Sequence, residues 1–105
     1  MISLTIISET YEQSDEIIRL LLKKRLVIEG TIQTNANCYR LDTNRHVKET
    51  NSAMLICTTK SLLFPEIDEI LREKYTNNLP ILYSVPIVNM DWEQLKTLRE
   101  ETQSV

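Results

Sequence analysis

Ile2 to Ser8 reads Ile-Ser-Leu-Thr-Ile-Ile-Ser, a partly alternating run rich in β-branched residues that predicts a central or near-central strand. The period then changes. Thr10 followed three residues on by Gln13 is a capping-box pattern, and Ile17, Ile18, Leu20, Leu21 and Leu22 set an apolar stripe at helical spacing, so a helix is expected from Tyr11 to Arg25. Its other face, with Glu12, Asp15, Glu16, Arg19 and Lys23, is solvated, and Glu16 is expected to pair with Arg19 three residues away.

Leu26 to Leu41 is extended in character and holds Gly30, the only glycine of the chain, which suggests a bulge or a close backbone approach. Turn residues follow twice, at Asp42-Thr43-Asn44-Arg45 and at Glu49-Thr50-Asn51-Ser52. A hairpin with an irregular tip is therefore expected before a strand at Ala53 to Thr58. Its register stays open, and with it the question of whether Cys38 faces Cys57.

Ser61 is placed to cap a second helix that tolerates Pro65 in its first turn, with Leu63, Ile67, Ile70 and Leu71 as the buried stripe. The last strand is expected from Pro80 to Val88. Because proline cannot donate to a ladder, Pro80 and Pro86 confine this strand to a sheet edge, a first position or a bulge. Asp91 with Gln94 then caps a short C-terminal helix, whose stripe is Trp92, Leu95 and Leu98 and which frays by Gln103. The order is β-α-β-β-α-β plus a helix, an α+β class of the ferredoxin-like, split β-α-β kind, in a single domain spanning 1–105. Such a sheet leaves one face and its edges open, and self-association is the simplest cover.

Composition narrows the function classes. With 105 residues the chain can bury a core but not a large internal cavity, so a sizeable pocket would need a second subunit. A net charge of −3 argues against a nucleic-acid footprint, and the one basic run, Lys23-Lys24-Arg25, falls where a helix C-terminus favours cations. No apolar run reaches membrane-spanning length, and Met1 to Ser8 lacks the features of a signal peptide, so a cytoplasmic location without membrane association is expected. Two cysteines make neither a zinc quartet nor a disulfide framework, and both are read as reduced thiols in strands.

Residues for catalysis are sparse. His46 is the only histidine and falls in the hairpin tip, an unsupported place for a base, and a single glycine excludes a glycine-rich phosphate loop. The carboxylates Glu66, Asp68, Glu69, Glu73, Glu100 and Glu101 follow helical spacing away from the apolar stripes, as solvating groups do. No enzyme is expected.

Several segments, in order, resemble the CutA-type divalent-cation tolerance proteins. Ile17 to Leu26 is similar to that family's first helix. Tyr39-Arg40 resembles the start of its tyrosine-arginine-tryptophan strand, Ile56-Cys57-Thr58-Thr59 its isoleucine-lysine-threonine-threonine strand end, and Leu98 to Thr102 the tail of its final helix. Tyr75 to Pro80 stands where the family has histidine, proline, tyrosine, glutamate, valine and proline. The resemblance implies a ferredoxin-like homotrimer concerned with tolerance of, or response to, divalent metal ions.

The departures fall on the chemistry. The histidine expected as a metal ligand is Tyr75 here and the glutamate is Asn78. The family's tryptophan and strand lysine correspond to Leu41 and Cys57, and its cysteine has no counterpart near Glu29. Metal ligation, which needs converging imidazole, thiolate or carboxylate groups, is therefore expected to be weak or lost, with copper the ion to test. What the resemblance leaves is an inter-subunit pocket of Tyr39, Arg40, Lys60, Tyr75 and Asn78 for a metal ion or small ligand. A second reading is a trimeric sensor resembling the PII proteins, with Tyr39, Arg40 and Lys60 holding an anion such as a nucleotide phosphate. A third, an acylphosphatase-like enzyme, lacks an arginine-bearing loop near the first strand.

Overall fold

The computed structural model describes all 105 residues. Its elements are strand β1 (Ile2–Ser8), helix α1 (Tyr11–Lys23), strands β2 (Gly30–Leu41) and β3 (Val47–Thr59), a 3-10 turn at Ser61–Leu63, helix α2 (Phe64–Lys74), strand β4 (Ile81–Pro86) and helix α3 (Trp92–Glu101). The four strands form one antiparallel sheet in the order β2-β3-β1-β4, the ferredoxin-like arrangement expected. β1 is central and β4 lies at an edge. The prolines bracket β4 rather than interrupt it: Pro80 precedes the strand and Pro86 ends it, opposite Ile2.

One face of the sheet carries the core. Leu4, Ile6, Leu55 and Cys57 project there and meet Ile17 and Leu21 of α1 and Ile67 and Leu71 of α2, each at most 1 % exposed. The opposite face, with Ile7, Met54, Ile56, Ile81, Tyr83 and Val85, is only half-buried or exposed.

Two of the three expected caps form. Thr10 Oγ1 accepts from the Gln13 amide at 3.1 Å and Asp91 Oδ2 from the Gln94 amide at 3.1 Å. Gln13 does not close the box, because its side chain donates instead to the Asn78 carbonyl at 2.9 Å. Helix α1 stops at Lys23, short of Arg25. The Leu26 amide bonds the Leu21 carbonyl and the Arg25 amide the Leu22 carbonyl, with Arg25 at φ 57° and Leu21 and Leu26 packed together, which is a Schellman ending without its usual glycine. Arg19 pairs with Asp15 at 3.0 Å rather than with Glu16, since four-residue spacing brings the side chains together and Glu16 is taken by α2. Ser61 does not cap α2; the Leu63 amide bonds the Lys60 carbonyl in the 3-10 turn that leads into the helix.

β2 and β3 depart most from expectation. Glu49-Thr50-Asn51-Ser52 is strand, not turn, and β3 begins at Val47. The tip is confined to Asp42–His46, where Asp42 Oδ1 accepts from the Asn44 and His46 amides and Arg45 takes φ 63°. This sets the register, placing Cys38 opposite Thr50 and Cys57 opposite Gly30, so the two thiols are far apart. The bulge falls between Gln33 and Ala36, where Asn35 adopts φ 57°, a conformation asparagine tolerates, and not at Gly30. Gly30 serves the close approach instead, for a Cβ there would collide with Ile18 Cδ1. Gly30→Ala should therefore cost about 1–3 kcal/mol by urea denaturation. Ile18→Val, which removes Cδ1, should recover part of that loss in a double-mutant cycle, whereas strict additivity would show that the contact is not limiting.

Candidate functional site

The sheet strands differ in length. β1 ends at Ser8 opposite Ala53, while the β2–β3 hairpin continues through Ala36–Leu41 and Val47–Ser52 with no third strand beside it. This arm gives the molecule its long axis, with extents of 46 × 28 × 21 Å. In the angle between the arm and the end of the main sheet lies a cleft of about 480 Å³. One wall is the arm, with Cys38, Arg40, Lys48 and Thr50; the other is formed by Ile7 to Thr10 and Leu79 to Ile81. The strand pleat puts Cys38 and Arg40 on the cleft side and leaves Tyr39 and Leu41 on the reverse, where they and Val47 are exposed.

The five residues singled out from the sequence are distributed over this frame. Arg40 lines the cleft and Tyr39 stands on the arm's other face. Asn78 lies beside the cleft wall formed by Leu79 and Pro80, its carbonyl held by Gln13. Tyr75 ends α2 and belongs to the core; its hydroxyl donates to Glu16 Oε1 at 2.5 Å, with Lys74 Nζ 3.3 Å from the same oxygen. Lys60 stands at the opposite end of the sheet, where its Nζ donates to the Gln103 carbonyl at 2.7 Å. Within one subunit, then, Tyr39, Arg40 and Lys60 do not converge. Sequence reasoning missed Lys48, which the register sets directly across from Arg40. The signal was present: a tip centred on Asn44 pairs residues whose numbers sum to the same total, as 40 and 48 do.

Within one subunit the donors a transition metal would need are dispersed. Nowhere do three histidine, cysteine, aspartate or glutamate side chains gather as a metal site, and His46 is exposed at the arm tip. Burial and the bond to Glu16 push the Tyr75 phenol above its ordinary range, so it stays protonated and acts as a donor. The same hydrogen bond, aided by Lys74, holds the Glu16 carboxyl below its ordinary value. Burial, reinforced by the charge of Glu29, pushes the Cys57 thiol up to about 12.

No family model matches the chain, and neither does any curated protein. Solved structures do. The CutA1 protein of Pyrococcus horikoshii superposes with a TM-score of 0.88 at 20% identity, covering 99% of this chain and 100% of that one. The divalent cation tolerance protein Cut A1 of Thermus thermophilus gives 0.88 at 23% identity over 98% of this chain and 100% of that one. CutA1 of Oryza sativa gives 0.90 at 15% identity, covering 99% and 94%. The chain has the CutA1 fold. At these identities the likeness extends to the architecture over the full chain length, as the segments resembling the family implied.

Two predictions follow from the geometry. In the native protein Cys38, which is partly exposed, should react promptly with a thiol reagent while Cys57 reacts only on unfolding; fast labelling of both would contradict the burial of Cys57. Glu16, with its lowered pKa, contributes stability that is present above its ordinary value of 4.5 and lost as pH falls through the lowered one. Tyr75→Phe should accordingly lower the melting temperature most near neutral pH, with the gap to wild type narrowing in acid. A pH-independent gap would rule out the Glu16 bond as its source.

Proposed function

We propose that the chain is a non-enzymatic, CutA-like protein that assembles as a homotrimer, acts in the tolerance of or response to divalent metal ions, and has weakened metal binding of its own. The observation that carries the assembly is the uncovered apolar surface of the single subunit. Ile56, Tyr83 and Val85 are 40%, 47% and 50% exposed on the open face of the sheet, and Tyr39, Leu41 and Val47 are 64%, 63% and 73% exposed on the arm. Two edge strands, β2 and β4, add unpaired backbone. Exposed apolar patches on both faces of a sheet and free edges of this kind mark interaction sites, and a ring of identical copies can cover them by one repeated contact.

The weakened metal binding is supported by the donor set. Tyr75 and Asn78 stand where the resembling family has histidine and glutamate, and the Tyr75 hydroxyl is engaged with Glu16 inside the subunit. No step through a metal is therefore assigned. The metal-related role rests on the likeness to proteins described as divalent cation tolerance proteins.

Sedimentation equilibrium should give three times the 12.3 kDa chain mass, and a monomer across the micromolar range would overturn the assembly. Calorimetric titration with Cu²⁺ should show only weak heats, whereas tight stoichiometric binding would overturn the claim that the substitutions disable the site.

A further inference from the structure

We infer that the cleft between the arm and the end of the main sheet is a binding site for a small oxyanion, carboxylate or phosphate, held between Arg40 and Lys48. The two residues are direct cross-strand partners in the β2–β3 ladder and both line the cleft. Like charges placed opposite each other on one sheet face repel, and a fold with no use for them would be expected to intersperse a carboxylate. Here no carboxylate of the chain pairs with either. The ion pairs of the molecule are Arg19 with Asp15, Arg72 with Asp68 and Lys74 with Glu16, so neither Arg40 nor Lys48 has a carboxylate partner. Glu9, the one carboxylate of the cleft lining, forms an ion pair with neither.

The surroundings of the pair suit an anion. Thr50 and Ser52 on the arm, with Thr10 across the cleft, line it with hydroxyl groups that can donate hydrogen bonds. A guanidinium fork beside an ammonium matches an oxyanion with two or more oxygens, the arginine by geometry and the lysine as a point charge. The cleft of about 480 Å³ admits an ion of that size with its water. All these residues come from one chain, on the face of the sheet that carries Ile56 and Tyr83, and failure of the titration would leave the subunit count from sedimentation unchanged.

The test is a titration of the protein with inorganic phosphate and, separately, with malonate, each against chloride at equal ionic strength, followed by amide chemical shifts and by melting temperature. Saturable shifts are expected at Cys38–Arg40 and Lys48–Ser52, together with a rise in melting temperature. Arg40→Gln and Lys48→Gln should each weaken binding at least tenfold, while Lys96→Gln on α3 leaves it unchanged. Since Lys48→Gln removes the like-charge pair, that variant should also melt above wild type in chloride and lose the phosphate-dependent rise. Saturation by one ion alone would name its class, and saturation by both would show a site that reads charge. Absence of saturable shifts with either ion, or binding that survives both substitutions, would overturn the inference.

Discussion

Leu4 and Ile6 at the centre of β1 have no exposed surface because α1 and α2 close over one face of the sheet, and this one-sided burial is what the rest of the molecule depends on. Removing apolar area from water contributes about 25 cal/mol per Å², so the residues pointing at the helices carry most of the driving force for folding. Gly30 lets the start of β2 reach Ile18, and the tight α1 ending buries Leu26 against Leu21. The opposite face has no such cover. Its apolar residues are left to whatever the protein meets in solution, which is why the fold itself raises the question of assembly.

The second consequence is the arm. A hairpin that outruns its neighbours by six residues on β3 cannot be covered by the helices, so polar side chains occupy much of both its faces and the cleft opens at its base. The placement of charge there is independent of the core. Arg40 and Lys48 neither support nor disturb the packing of Leu55 or Ile17, so their juxtaposition reflects the surface chemistry of the cleft.

At the other end of the sheet the C-terminal segment closes the ends of the helices. Gln103 donates from its amide to the Arg25 carbonyl at 2.8 Å and from its side chain to the Lys24 carbonyl at 2.6 Å, while its own carbonyl accepts from Lys60. Arg25 Nε reaches the Glu101 carbonyl at 3.0 Å. These bonds satisfy groups that a helix end leaves without partners. Lys60 thereby has a structural task, just as Tyr75 has one beside Glu16, and side chains that looked available for a ligand are drawn into the fold.

Much of this was legible in the chain. The stripe at Ile17, Ile18 and Leu21, the caps at Thr10 and Asp91 and the prolines around β4 identify two helices and the edge position of the last strand, because each is a local preference of its element. The segments similar to the CutA-type proteins pointed to the same architecture. Glu49 to Ser52 misled, since a strand whose residues Glu49 to Asn51 are exposed on both faces is as polar as a turn and loses the alternation by which strands are recognised. The site was harder still. That Lys48 stands across from Arg40, that Tyr75 turns inward to Glu16 and that Lys60 binds Gln103 are facts about pairs separated along the chain. Only the three-dimensional register and packing decide them, because local periodicity sets which face a residue occupies but not which distant residue it meets there.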